Sequence, residues 1–202
     1  MAFHARYHPE VDAAAEELRD KQIKEINIKY SEWVLNYHDP KGWIFDPKIA
    51  GGGVLMDSGI NALSIVTKVM PEIQWNVTSA NFDQPSDFKV ETKADVEFSF
   101  GKNGHGTLSM DWMHKGPEIR QVVFRTEADE YLVDIARSIF LKNGAVISNE
   151  KSDNQLMDHL SEYKGVYRDF ASHLSTNTSL ISTRELYFIQ QAYKLGNVKY
   201  CI

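Results

Sequence analysis

The hydrophobic period of this chain changes twice, and this change restricts the fold more than any other feature. Between residues 73 and 148, apolar and polar residues alternate in short runs, which is the period of half-buried β-strands. The segments 101–104 and 142–144, Gly-Lys-Asn-Gly and Lys-Asn-Gly, join such runs in the manner of hairpin turns. The pattern predicts an antiparallel meander with strands at 90–100, 106–112, 119–125, 131–135 and 138–141.

Helical spacing of apolar residues dominates on both sides of these strands. A short amphipathic helix is predicted over 9–20, a strand over 23–33, and a helix over 54–70 that stops at Pro71. Two closing helices, at 159–174 and 183–195, are expected to cover the sheet. This order of elements predicts an α+β fold with a largely antiparallel open sheet and helices on one face.

Composition limits the classes of partner. A chain of 202 residues with 43% hydrophobic content can bury one sizeable core, and its net charge of −6 argues against nucleic acid or an anionic membrane surface as a partner. Polar residues interrupt the longest apolar runs, so no membrane span is expected. Cys201 is the single cysteine, which fits a reducing, cytoplasmic setting.

The first twenty residues fit the predicted architecture poorly. The strand-like run Phe3-His4-Ala5-Arg6, followed by a helix, is typical of the tail of a preceding α/β unit. We therefore expect a boundary that separates residues 1–20 from a domain at 21–202.

The segment 35–53 is rich in Gly, Pro and aromatic residues and is predicted to be a binding loop. It ends in Gly51-Gly52-Gly53 directly before a helix. Two interpretations stay open: a phosphate cradle made by amides at the helix start, or a flexible entry that lets the helix pack closely. The sequence contains no G-x-x-x-x-G-K-[ST] or H-E-x-x-H motif, and its histidines form no pair at metal-ligand spacing with a nearby cysteine, so no metal site is predicted.

Asp57 and Asn61 lie four residues apart on the helix after the glycines, so their side chains leave one face of an otherwise apolar stretch. Buried polar groups need partners, and a polyhydroxylated ligand such as a sugar supplies them. The alternative is that Asp57 only complements the positive end of the helix and Asn61 is solvated.

Other residues offer groups of the same kind. Glu32 supplies a carboxylate, and the rings of Tyr37 and Trp43 could stack on a sugar or belong to the edge of the core. His4 carries an imidazole, a side-chain type suited to proton transfer, although a structural role is the alternative.

The run from Trp43 to Leu63 resembles the segment G-G-G-x-L-x-D-x-G-x-H-x-x-D of the glucose-fructose oxidoreductase/inositol dehydrogenase (Gfo/Idh/MocA) family. Asn61 stands where that pattern has His, which resembles the sugar 1-dehydrogenases of the family that act on D-galactose or L-arabinose. The run Phe3-His-Ala-Arg-Tyr-His-Pro resembles the end of the family's nucleotide domain. The resemblance implies a C-terminal domain with a dihydrodipicolinate-reductase-like fold.

It also implies a two-domain enzyme, in which a Rossmann domain binds NAD or NADP and a second domain supplies the substrate pocket. The family's G-x-G-x-x-G turn and E-K-P stretch occur nowhere in this sequence, so no cofactor is expected to bind this chain, and the chain alone is expected to be inactive. The implied reaction oxidises an aldose to its lactone. The implied partners are the aldose and further copies of the chain, in a homodimer or tetramer formed through the sheet face.

The resemblance assigns roles to six residues. Asp57 is implied as a catalytic proton acceptor or orienter and Asn61 as a hydroxyl anchor, and the pocket wall is expected to include His4, Glu32, Tyr37 and Trp43. Two other functions stay open on the same scaffold: a non-catalytic sugar sensor and a plain dimerisation module.

Overall fold

The structure is a computed structural model that describes residues 3–149, 155–176 and 183–200. The helices are α1 (Pro9–Glu17), α2 (Pro47–Ala50), α3 (Ile60–Val69), α4 (Gln155–Thr176) and α5 (Arg184–Leu195). The strands are β1 (Glu25–Ser31), β2 (Trp75–Asp83), β3 (Lys93–Phe100), β4 (Gly104–Asp111), β5 (Ile119–Arg125), β6 (Glu130–Asp134), β7 (Ile139–Lys142) and β8 (Ala145–Ser148). The predicted α+β fold with a largely antiparallel open sheet is confirmed.

The strands form one eight-stranded sheet in the order β2-β3-β4-β1-β5-β6-β7-β8. Strand β1 pairs parallel with β4 and antiparallel with β5. The predicted uninterrupted meander is therefore wrong at one place, because β1 separates β4 from β5. Its buried residues Ile26 and Ile28 lie opposite Phe124 and Val122 of β5, so β1 continues the apolar surface that the meanders β2–β4 and β5–β8 alone would leave divided.

One face of the sheet forms the core. Strand β3 buries Ala94, Val96 and Phe98, while Asp95 and Glu97 between them are exposed on the opposite face. Helix α1 packs on β6 and β7, α3 on β5, and α5 on β2. The prediction that the closing helices cover the sheet holds for α5, whereas α4 packs on a short turn near the N-terminus.

That turn replaces a predicted strand. His4–Tyr7 form a 3-10 helix, and the His8 amide closes it by donating to the Ala5 carbonyl at 3.2 Å. The strand expected at Phe3–Arg6 is therefore wrong, because local hydrogen bonds satisfy this backbone. Ala5, together with Val11 and Ala14 of α1, is buried in the same core as the sheet. The domain boundary at residue 20 stays a prediction.

Within the segment Pro47–Val69, an 18-residue window has a mean hydropathy of 1.4, so by length and composition alone the segment could span a membrane. It is not one straight helix, since α2 ends at Gly51 in a left-handed conformation with φ of 81°. Seventy-two per cent of its apolar window is buried inside the protein, so this segment serves the core. Cys201, which carried the expectation of a reducing setting, lies outside the described residues.

Candidate functional site

The helix after the glycine triplet opens with a π-helical turn, Leu55–Gly59, before α3 begins. The sequence predicted a uniform helix here. In a π turn the backbone bonds join residues five apart, and such turns occur often at functional sites. Asp57 and Ser58 lie within the turn, and the side-chain amide of Asn61 donates to the Asp57 carbonyl at 3.3 Å. The turn therefore holds Asp57 and Asn61 together.

The glycine triplet binds a carboxylate of the chain itself. The Gly53 amide donates to both oxygens of Glu91 at 3.1 and 3.0 Å, and the Leu55 amide donates to Oε1 at 3.1 Å. A Cβ on Gly53 would lie 2.0 Å from the Glu91 carbonyl oxygen, so only glycine fits. The phosphate-cradle interpretation is wrong because Glu91 occupies the helix start, and the close-packing interpretation is correct.

A cavity of about 310 Å³ lies between the N-terminal turn, the end of β1, the π turn and β5. Five of the six predicted site residues line it: His4, Glu32, Tyr37, Asp57 and Asn61. Residues that are far apart in sequence thus surround one space. The wall also includes His38 of the predicted binding loop, and four residues that the sequence did not single out, namely Tyr30, Ser58, Glu118 and Arg120.

Trp43 does not line this cavity. It is 56% exposed, and its ring meets the edge of the His38 ring at a centroid distance of 6.4 Å. The neighbouring Phe45 turns the other way and packs against Trp112 in the core at 5.9 Å. The aromatic loop is thus divided between a core edge and the surroundings of the cavity, which were the two alternatives raised from the sequence.

Glu32, just after β1, connects the polar groups of the wall. It accepts a hydrogen bond from Ser58 Oγ at 3.1 Å and a longer one from Arg120 Nη2 at 3.4 Å. Arg120 also donates to Glu118 Oε1 at 2.6 Å. Burial alone would lower the pKa of Arg120, but the adjacent carboxylates outweigh it and raise that pKa, so the guanidinium stays charged. Ser58 is fixed in turn by the indole N–H of Trp112 at 2.9 Å.

The side chain of Asp57 makes fewer hydrogen bonds to the protein than that of Glu32 does. Its carboxylate accepts a long hydrogen bond from Ser58 Oγ at 3.5 Å, and a ligand in the cavity can reach it. Surrounding protein atoms limit its hydration, which raises its pKa, and the negative charge of Glu32 raises it further. A carboxylate with a raised pKa is a better proton acceptor near neutrality than an ordinary aspartate.

His4 and Asn61 complete the wall. Glu162 of α4 meets Nδ1 of His4 at 2.7 Å, and Tyr163 stacks on its ring at 5.6 Å, so α4 sets the orientation of His4. The Oδ1 atom of Asn61 is buried and has no hydrogen-bond partner in the described structure. The alternative that Asn61 is simply solvated is therefore not supported. Within the described ranges, no group of three or more acidic, His or Cys side chains is placed to hold a metal ion.

The missed residues follow from strand pairing. Tyr30 stands two residues before Glu32, on the same face of β1, and Arg120 lies opposite Tyr30 on β5. The alternation along β1 could have indicated Tyr30. Nothing local could have indicated Arg120 or Glu118, because their proximity depends on which strand lies beside β1.

Comparisons with known proteins identify the family of the chain. A family model described as the GFO/IDH/MocA C-terminal domain matches residues 20–129. Galactose 1-dehydrogenase from Pseudomonas fluorescens is 27% identical over 191 residues, covering 95% of this chain and 59% of that protein. The chain thus spans less than two thirds of the length of this curated relative.

Solved structures show the same fold. The crystal structure of D-galactose-1-dehydrogenase from Rhizobium etli superposes with a TM-score of 0.80 at 28% identity, covering 96% of this chain and 58% of that one. Aldose-aldose oxidoreductase from Caulobacter crescentus, complexed with glycerol, gives a TM-score of 0.75 at 15% identity, covering 96% and 60%, and supports the fold alone. From the family model, together with the matching fold and sequence motif, the chain belongs to the Gfo/Idh/MocA family as its C-terminal domain.

Proposed function

We propose that this chain is the substrate-binding part of an NAD(P)-dependent aldose 1-dehydrogenase, which oxidises a sugar such as D-galactose to its lactone. The observation that carries the proposal is the cavity in which Asp57, Asn61 and Glu32 meet. Two relatives with 27% and 28% identity are named galactose dehydrogenases, which supports an aldose as the substrate.

Asp57 accepts the proton of the anomeric hydroxyl in this proposal. Loss of hydration and the charge of Glu32 raise its pKa, so its ionised form has a greater affinity for a proton. Asn61 cannot titrate and serves to hold a hydroxyl, since its Oδ1 is buried without a partner and accepts a hydrogen bond from the sugar. Glu32 accepts a hydrogen bond from a second hydroxyl of the sugar, while Ser58 and Arg120 fix its position.

The described residues do not fit a dinucleotide. The amides at the start of the glycine-led helix are taken by Glu91, and a Cβ at Gly53 would collide with that residue's backbone. We therefore assign the binding of NAD or NADP, the hydride acceptor, to a nucleotide-binding domain of the whole protein. No reaction step that involves the cofactor is assigned to this chain. On this proposal the chain alone is inactive, and the whole protein works in the cytoplasm.

The test supplies the nucleotide-binding domain in cis and measures aldose-dependent NAD(P)H formation. Asp57→Asn keeps the shape of the side chain but removes the base, so we expect kcat to fall by about 10²–10⁴-fold. Asp95→Asn is the matched control, because Asp95 is exposed on the opposite face of the sheet, and its kcat should be unchanged. Full activity in Asp57→Asn would show that the proton acceptor is another group. Sugar binding by the unmodified protein without any turnover would favour the sugar-sensor alternative.

The uncovered face of the sheet supports self-association as a further part of the proposal. Cross-strand register aligns a row of apolar side chains on this face, Val123, Leu132, Leu141 and Val146. Val146 is 60% exposed. A second copy of the chain would cover this row in a homodimer or tetramer. Sedimentation should show concentration-dependent association that Leu132→Glu abolishes, and a monomer at high concentration would refute this part.

A further inference from the structure

The polar groups of the cavity differ in how far the protein already satisfies them. Glu32 accepts from Ser58 and Arg120, and Glu118 accepts from Arg120. Tyr30, by contrast, is only 6% exposed, lines the cavity, and has a hydroxyl with no hydrogen-bond partner in the described structure. A buried hydroxyl without a partner is rare in folded proteins and calls for an explanation.

The position of Tyr30 follows from its strand. It is on the core face of β1, in line with Ile26 and Ile28, and is more deeply buried than Glu32 two residues later. Its neighbour across the sheet on β5 is Arg120, whose guanidinium is engaged by two carboxylates. The phenol therefore stands in the inner part of the cavity wall, and the guanidinium of its cross-strand neighbour is already committed to two carboxylates.

A ligand would satisfy this group. A neutral phenol both donates and accepts a hydrogen bond, and a sugar hydroxyl does the same. Burial raises the pKa of Tyr30 well above its usual value, so the phenol remains neutral at physiological pH. On the basis of the proposed aldose-binding function, we infer that Tyr30 is a sugar-binding residue whose hydroxyl bonds to one particular hydroxyl of the aldose in the inner part of the cavity.

For the variant Tyr30→Phe, we expect the stability without sugar and the affinity for sugar to respond differently. Without a ligand, the variant should be at least as stable as the unmodified chain, because no described group of the protein hydrogen-bonds to the hydroxyl that it removes. With D-galactose, it should bind about fivefold to tenfold more weakly, because one hydrogen bond to the sugar is lost. A residue with a purely structural role would not produce these opposite effects.

The test titrates D-galactose and its 2-, 3-, 4- and 6-deoxy derivatives into the chain by isothermal calorimetry, alongside thermal unfolding without sugar. We expect Tyr30→Phe to match the unmodified chain for one deoxy sugar only, the one that lacks the contacted hydroxyl. Tyr131→Phe is the matched control, because this buried tyrosine bonds to Asp129 at 3.1 Å and does not line the cavity, so its affinities should be unchanged.

The outcomes separate this inference from the proposed function. If the unmodified chain binds galactose and Tyr30→Phe binds every sugar equally well, the assignment of Tyr30 is wrong and the proposed function stands. If the unmodified chain binds no aldose at all, the proposed function fails, and the assignment of Tyr30 fails with it.

Discussion

Two carboxylates lie at the start of the helical segment that begins at Leu55. Asp57 belongs to this segment, whereas Glu91 reaches it from the chain between β2 and β3. Their environments are opposite. Glu91 is 1% exposed and accepts hydrogen bonds from the Gly53 amide, the Leu55 amide and the Tyr193 hydroxyl. Asp57 faces a cavity and has a long contact with Ser58. Reduced hydration by surrounding protein atoms is the largest cause of a raised pKa in both, although Asp57 keeps an exposed surface and Glu91 does not.

The direction of a pKa shift therefore does not by itself identify a functional acid or base. Glu91 has no room for a ligand, because its oxygens are surrounded by donors from the chain, and its work is to fix the start of the helix. The pKa of Asp57 is shifted in the same direction, but Asp57 has unused acceptor capacity and an adjacent space. Functional assignment therefore depends on free hydrogen-bonding capacity beside a cavity, with the pKa as supporting information.

Removing the carboxylate of Glu91, which has the structural role, should have the largest effect. Glu91→Ala leaves two amides and a buried tyrosine hydroxyl without their acceptor, so we expect the free energy of unfolding to fall by about 3–5 kcal/mol. Chemical denaturation measures this. Glu97→Ala, on the exposed face of β3, is the control and should change stability by no more than about 0.5 kcal/mol. A small loss in Glu91→Ala would mean that water replaces the carboxylate at the helix start.

Crowding the same contact should have an intermediate effect. Gly53→Ala places a methyl group against the Glu91 backbone, and the required displacement should cost about 1–3 kcal/mol in the free energy of unfolding. Gly101→Asn is a suitable control because a Cβ there meets no atom within 4 Å and Asn tolerates the local φ of 53°. Equal stabilities for the two variants would contradict the close approach of Gly53 to Glu91.

The smallest effect is expected at Asp57, the carboxylate that faces the cavity. Activity of the whole enzyme should rise with pH as Asp57 loses its proton, because the base must be ionised. Glu32→Gln removes a negative charge that raises the pKa of Asp57, so the acid limb of kcat/KM against pH should move to lower pH. Glu72→Gln, at a side chain that is 91% exposed and outside the cavity wall, should leave the limb in place. A shift to higher pH in Glu32→Gln would contradict the assigned role of Asp57.

The sequence predicted β1 and β3 to β7 from their period of two, and the fold class with them, because alternation along a half-buried strand is a local property, but it gave no bounds for β2 and β8. It did not predict the place of β1 between β4 and β5. Ile26 and Ile28 indicate which face of β1 is buried, but they do not indicate which strands lie beside it. That pairing depends on how the whole sheet covers the core.

The site was predictable to a similar degree. Asp57 and Asn61 are close in sequence, so their spacing on a helix was sufficient to bring them together. Arg120 is 88 residues from Glu32, and the pair exists only because β5 lies beside β1. The glycine triplet suggested an anion at the helix start, and an anion is present, but it is a side chain 38 residues further along the chain.

The π turn at Leu55–Gly59 explains how one short segment serves both a rigid anchor and a reactive group. An α-helix rotates by about 100° per residue, so one additional residue in a turn changes the direction of everything that follows by that angle. Gly53 and Leu55 are held in one orientation by Glu91, and Ile60–Val69 are held in another by the core. The surplus residue absorbs the angular difference between them. Deleting a single residue from this turn would allow only one of the two orientations to be kept. The direction of the Asp57 side chain therefore depends on the number of residues in the turn.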